Sequence, residues 1–371
     1  MSKKHEYVYL DLKAQISQGL LPPGTRLPPE RELMERYHVS RPTVRHALAR
    51  LVEDGLITRR VGSGTYVSQR PERPDQPVTL GLLIPNLGKG EIFEPICARI
   101  AELAQFYNYR LTWAASAVSS GGEAIIRAAQ ELVAQRVNGV FVRPLELVKD
   151  SAKVNRAMIQ TLASAGIPIV LLDADYLPFP ERSPFDLVGI DNIHAAYTAT
   201  KHLLAQGARR VDLVWRPYTA NTLQYRRVAY RQALLDAGIT PQATWEHELD
   251  PEDLSAVQQL CDSGATDLLV ANDETAALLM QSLGKLRYAC PNDIRMVGFD
   301  DVKYARLVRV PLTTVRQPCN DIAEAAVHTL LSRIKSPNLP PRTVLIQGQL
   351  IVRSSSVRPS EHRAVQAVFP G

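Results

Sequence analysis

From Val78 onward the sequence alternates short apolar runs with helical patterns, and this alternation restricts the fold more than any other feature. Eight runs read as strands: Val78–Pro85, Leu111–Ala115, Gly139–Val142, Ile167–Asp173, Leu187–Ile190, Val211–Trp215, Asp267–Ala271 and Ile294–Phe299. Between most of them apolar residues fall at helical spacing, as at Ile96, Ile100 and Leu103, or at Leu203 and Leu204 ahead of Gly207. Apolar strands joined by amphipathic helices specify parallel sheets covered on both faces. Eight or more such units are too many for one small sheet. The pattern predicts an α/β body of two lobes, with a cleft where the carboxyl ends of the strands meet.

The stretch before this body reads differently. Ser68 to Pro77 holds three prolines and no apolar residue, the composition of a stiff, exposed linker. Ahead of it lies a compact unit of helix, helix, helix and hairpin. The first helix spans about Glu6 to Gln18, with Val8, Leu12 and Ile16 on one stripe, and the second about Glu30 to Tyr37. Ser40 can cap a third helix whose buried stripe is Val44, Leu48 and Leu51. Two short β runs, Leu56–Arg60 and Thr65–Ser68, are joined through Gly62-Ser63-Gly64. The 371 residues thus divide into a module at 1–68, a linker at 69–77, a body at 78–356 and a tail at 357–371 without periodic pattern, which reads as disordered.

Charge follows the same division. Residues 1–70 carry 12 Lys and Arg against 7 Asp and Glu, while the remaining 301 carry 31 of each. The whole net charge of +5 therefore sits on the first 70 residues, the small module and the first two residues of the linker. A basic module on a neutral body fits a polyanion partner for the module alone, or a solvated basic face.

Several function classes fall away. No window approaches the roughly 18 uninterrupted apolar residues of a membrane span, and the start lacks the apolar core of a signal peptide. Cys97, Cys261, Cys290 and Cys319 are far apart, as in a cytosolic protein with free thiols rather than a disulfide frame or a zinc site. There is no His-Glu-x-x-His, no Gly-x-Ser-x-Gly and no Walker sequence. The Asp300-Asp301 pair points in two directions from a strand end, which is unsuited to paired acid–base work. We expect no catalytic residues, no metal and no cofactor.

Gly24-Thr25-Arg26-Leu27-Pro28-Pro29-Glu30-Arg31-Glu32-Leu33, Val39-Ser40-Arg41-Pro42-Thr43-Val44-Arg45-His46-Ala47-Leu48 and Gly62-Ser63-Gly64-Thr65-Tyr66-Val67 closely resemble the winged helix-turn-helix of the GntR family. Pro29 departs from the family, which usually has a small capping residue there. The resemblance implies binding to double-stranded DNA, with Arg31, Ser40, Arg41, Thr43 and Arg45 on the DNA face and the wing glycine Gly62 at the sugar-phosphate edge. Arg41 and Arg45, four apart, share the face opposite Val44 and Leu48, from which arginine can grip guanine in the major groove.

The body is similar to the effector domain of the LacI/GalR family, itself similar to periplasmic sugar-binding proteins. The segments that carry this include Leu80 to Asn86, Val137 to Pro144, Gly166 to Asp173, Ala271-Asn272-Asp273, Val297 to Asp301, Pro311 to Gln317 and Leu350 to Arg353. A GntR module on such a body resembles the arabinose-repressor type of regulator. Gly88-Lys89-Gly90-Glu91-Ile92-Phe93 stands where the family has Asn-Pro-Phe-Phe, and the minor-groove hinge helix is missing. The resemblance places a small-molecule effector, a sugar or sugar-like compound, at Asp173, Arg226, Asn272 and Asp300. Trp215 and Phe93 can stack on a ring, with Arg143 and Gln317 as further contacts. Structural alternatives stay open: an Arg226–Asp300 ion pair, helix capping by Asp173 and Asn272, and Trp215 as plain core. Asp273 and Asp301 read as structural. The implied function is that of a cytoplasmic, homodimeric regulator on inverted-repeat operators, a repressor of carbohydrate genes released by its effector. A body that only dimerises, and a GntR fusion to an enzyme-like domain, are the rivals.

Overall fold

The computed structural model describes residues 2–17, 20–22, 24–53, 56–60, 64–67, 77–85, 87, 92–114 and 121–358. The wing tip with Gly62, most of the 69–77 linker, Gly88 to Glu91 and the tail beyond residue 358 lie outside them. The chain forms two compact units that meet in sequence at Pro77–Val78.

The N-terminal unit holds α1 (Ser2–Ser17), α2 (Glu30–Tyr37), α3 (Arg41–Glu53), β1 (Ile57–Arg60) and β2 (Gly64–Val67). The expected stripes form its core, in which Val8, Leu12 and Ile16 of α1 join Leu33, Val44, Leu48, Leu51, Ile57 and Val67. Pro29 precedes α2 with no side-chain cap, but its carbonyl still accepts from the Leu33 amide at 3.1 Å. The helix keeps its first turn and loses one cap, because proline suits a helix start and lacks only a donor. His38, at φ 50°, ends α2 in the left-handed conformation and turns the chain toward α3. The β1–β2 hairpin is antiparallel, pairing Ile57 with Val67 and Arg60 with Gly64.

The body contains β3 (Val78–Leu83), α4 (Phe93–Tyr107), β4 (Tyr109–Trp113), α5 (Gly122–Ala134), β5 (Gly139–Val142), α6 (Ser151–Ser164), β6 (Ile169–Leu172) and β7 (Asp186–Ile190). Then follow α7 (Asn192–Ala205), β8 (Asp212–Trp215), α8 (Thr222–Asp236), β9 (Glu246–Glu248), α9 (Leu254–Asp262), β10 (Asp267–Val270) and α10 (Asp273–Lys285). It ends with β11 (Arg295–Asp300), β12 (Thr313–Arg316), α11 (Cys319–Lys335), β13 (Thr343–Ile346) and β14 (Gln349–Ile351).

Two six-stranded sheets result, ordered β13-β7-β6-β5-β3-β4 and β14-β12-β11-β10-β8-β9. All eight apolar runs are strands within them. Every pairing in the sheets is parallel except β14, which returns antiparallel along β12. Each lobe has its own buried core, one around Val140, Leu171 and Leu162 and the other around Leu268, Met296 and Leu279. The chain crosses between lobes three times: from β7 into α7, from β12 into α11, and between β13 and β14. α11 belongs to the first lobe, where Arg333 clamps the buried Asp186 at 2.9 Å through Nε and Nη2. Asn192 and Gln317 therefore stand on crossings, beside the carboxyl ends of the central strands.

Candidate functional sites

In the N-terminal unit the apolar stripe of α3 fixes which face is left over. With Val44, Ala47, Leu48 and Leu51 buried, Arg41, Pro42, Arg45, His46 and Ala49 line one open concavity on the opposite side. Arg41 donates through Nε to Glu30 Oε2 at 3.0 Å, with the arginine side chain largely exposed. An exposed pair of this kind is worth about 0–1 kcal/mol, so a DNA acceptor can displace it. The Ser40 and Thr43 hydroxyls share a hydrogen bond of 2.9 Å at the start of α3. Arg31 is 91% exposed on α2 and donates to Glu35 at 3.3 Å. Gly62 lies outside the described residues. Its neighbour Gly64 has φ +124°, and a Cβ there would come within 2.8 Å of Arg26 Nε, so this end of the wing requires glycine.

In the body, Arg226 rises from α8 into the interior, only 5% exposed. It donates through Nε to Asn192 Oδ1 at 2.8 Å and through Nη1 to the Ala271 carbonyl, and its guanidinium lies 4.1 Å from the Phe299 ring centre. Asp300, at φ 113°, accepts from Gln317 Nε2 at 2.8 Å. Arg226 and Asp300 thus spend their hydrogen bonds elsewhere, and no ion pair joins them among the described residues. Burial pushes the Asp300 carboxyl above its ordinary range, with Arg226 opposing. Across the cleft Asp173, at φ 68°, keeps Oδ1 buried without a partner among the described residues. Burial pushes its pKa up to about 6; Arg226 and Arg143 oppose this, Glu146 and Asp300 add to it. Gln317 is 4% exposed, and its Oε1 is likewise left without a partner.

The other candidates fall into place around this group. Arg143 is buried, donates to the Pro85 carbonyl at 3.3 Å, and lies 4.2 Å from the ring centre of the buried Phe93. Asn272 caps α10, accepting from the Thr275 amide at 2.8 Å, which leaves its NH₂ group for other use. Trp215 ends β8 half-buried and donates through Nε1 to Glu248 at 3.1 Å, with Arg227 5.9 Å from its ring centre. Asp273 accepts from Thr314 at 2.6 Å and from the Val302 amide, and Asp301 holds Arg316 at 2.6 Å and Arg353, so both brace the lobe. Burial pulls the Asp301 carboxyl up, but the bonds from Arg316 and Arg353 outweigh it and hold it below its usual range. Among the described residues no group of three His, Cys, Asp or Glu is placed to hold a metal ion.

With this geometry in view, the chain was compared with known proteins. Residues 4–67 match the bacterial regulatory proteins of the gntR family, and residues 200–356 match a periplasmic binding protein-like domain. The two matches set a gntR-like module ahead of a periplasmic binding protein-like domain. It is 26% identical to an arabinose metabolism transcriptional repressor from Halalkalibacterium halodurans over 98% of this chain and 100% of that protein. The repressor of the same name from Geobacillus stearothermophilus is 26% identical over 96% of this chain and 99% of its own. The crystal structure of the transcription regulator CcpA of Lactococcus lactis shares the fold of the body, with TM-score 0.66 at 21% identity over 76% of this chain and 100% of that one.

Three residues near the sites escaped the sequence reading. Asn192 was assigned no role, because only the fold shows that it receives Arg226 on a lobe crossing. His46 joins the exposed face of α3, which its spacing from Pro42 and Ala49 already implied. Glu146 left no signal, since its partners are Arg143 and, from the other lobe, the Ala220 amide.

Proposed function

We propose that this protein is an effector-responsive transcriptional repressor of carbohydrate genes, binding operator DNA through its N-terminal module and a sugar or sugar-like ligand in the cleft of its body. The observation that carries the ligand reading is the pair of buried acceptors, Asp173 Oδ1 and Gln317 Oε1, that lack donors among the described residues beside the buried Arg226. Buried acceptors without donors cost roughly 1–3 kcal/mol each, and a polyhydroxy compound supplies the donors. A body that served dimerisation alone has no use for such a cleft. Asp173, Phe93 and Arg143 serve the site from the first lobe and Arg226, Asn272, Asp300 and Trp215 from the second, with Gln317 on the crossing.

On the DNA side, Arg41 and Arg45 read bases, Ser40, Thr43 and Arg31 hold the backbone, and Gly62 brings the wing to the sugar-phosphate edge. One winged module makes too few base contacts for specificity, so the protein acts as a homodimer on an inverted repeat. The relatives named arabinose metabolism transcriptional repressor support this role, and the protein acts in the cytoplasm without catalytic chemistry. No described helix is long and apolar enough to cross a membrane.

The test is a thermal-shift screen of the full chain against common sugars, followed by operator gel shifts with each hit. A ligand at 100 times its Kd adds about 2.7 kcal/mol of stability. A hit that also weakens operator binding supports the assignment; an intact protein with no hit, or hits without effect on DNA, overturns it.

A further inference from the structure

A cleft that receives polyhydroxy ligands must also decide about charge, since sugars occur in cells both free and as phosphate esters. This question rests on the ligand reading above. Two features of the cleft would ordinarily attract an anion. One is Arg143, a buried guanidinium on the first lobe with Phe93 on its face. The other is the approach to α8 on the second lobe, where the Ala220 amide precedes the helix. Arginine forks and free amides at helix starts are the usual anchors of phosphate.

Both anchors are already taken, and by one side chain. Glu146 Oε1 accepts from Arg143 Nη2, and Glu146 Oε2 accepts from the Ala220 amide at 2.9 Å. The carboxylate thus spans the lobes in the position an anionic ligand group would need. Two further bonds hold the same rim: the Leu147 amide donates to the Tyr218 carbonyl at 2.7 Å, and Asn221 Nδ2 donates to the Leu177 carbonyl at 2.6 Å. The Glu146 charge also adds to the upward push on the Asp173 and Asp300 carboxyls, behind burial as the larger cause. The groups left unsatisfied among the described residues, Asp173 Oδ1 and Gln317 Oε1, are acceptors. Such groups take hydroxyls and repel phosphate.

We propose that Glu146 is a built-in anion that sets the charge specificity of the cleft, admitting uncharged polyhydroxy ligands and excluding their phosphate esters. Removing its charge takes the carboxylate acceptor away from Arg143 Nη2 and from the Ala220 amide together, and gives the cleft a phosphate-sized anion subsite.

The experiment uses calorimetric titration of the full chain with inorganic phosphate, with a panel of free sugars and with their phosphate esters. Wild-type protein should not bind phosphate, and should bind a free sugar at least about tenfold more tightly than its ester. Glu146→Ala should gain phosphate binding and narrow or reverse the sugar-to-ester ratio by about tenfold or more. Glu146→Gln retains an acceptor for Ala220 and guards against a folding defect in the alanine variant. It should fall between the two. Wild-type protein that prefers the ester, or folded Glu146→Gln and Glu146→Ala proteins that still refuse phosphate, would overturn the proposal. If no sugar binds at all, the ligand reading fails by itself, and the phosphate arm still decides whether Glu146 occupies an anion subsite.

Discussion

Asp173 carries a burial cost that a hydroxyl donor removes. Its ordinary pKa is 3.8 and its folded value about 6, so the folded chain holds this proton more tightly than the unfolded one. Stability from this group therefore falls as pH rises from about 4 to about 6 and stays reduced above that. Asp173→Asn removes the burden, and asparagine tolerates the positive φ of this position. We expect the variant to melt a few degrees higher than wild type at pH 8, with the advantage gone near pH 4, since the full shift corresponds to at most about 3 kcal/mol. Equal differences at both pH values, read by calorimetry, would contradict this. Arg226 gives the complementary test. Arg226→Ala and Asp300→Ala should retain operator binding and lose the response to effector. Arg226→Lys should also respond poorly, because an ammonium cannot serve Asn192 and Ala271 with one rigid fork. Operator binding lost in the absence of effector would show that these residues hold the fold instead.

At the scale of elements, the recognition helix and the sheets differ in how openly the sequence announced them. α3 was legible because Val44, Leu48 and Leu51 fix its buried side and leave Arg41 and Arg45 no other place to go. Arg41→Ala and Arg45→Ala should each cost about 1–3 kcal/mol of operator affinity and relax sequence preference, whereas Arg31→Ala should weaken all sequences alike. Operator-strength binding by the Arg41→Ala, Arg45→Ala double variant in a gel-shift titration would remove both from the interface. Seven of the eight runs are interior strands, legible because buried parallel strands are almost wholly apolar, while the eighth, β4, is an edge strand that shows through its Leu111 and Trp113. The Glu-His-Glu of β9 and the half-exposed β13 and β14 lie at sheet edges, where one face meets water and the apolar signal thins. β12 is central but opens on Thr313 and Thr314, buried through their hydroxyl bonds to Ser356 and Asp273. The binding residues on strand ends could be placed by resemblance. Asn192 and Glu146 could not, because their meaning comes from a lobe crossing and from a partner 74 positions away.

For the molecule as a whole, function requires that two sites on one chain share free energy. The body should supply the dimer contact, so an isolated 78–356 fragment is expected to sediment as a dimer at micromolar concentration; a monomer would assign that contact elsewhere. The coupling itself is a thermodynamic quantity with a fixed symmetry. If effector lowers operator affinity by some factor, operator lowers effector affinity by the same factor, typically about 5–150-fold or 1–3 kcal/mol. The most direct measurement is therefore a closed cycle: operator Kd with and without saturating effector, and effector Kd with and without saturating operator, all on the full-length dimer. The account predicts two equal factors of at least about fivefold, both reduced to one by Arg226→Ala. An effector that binds the cleft tightly while leaving operator affinity unchanged would contradict it.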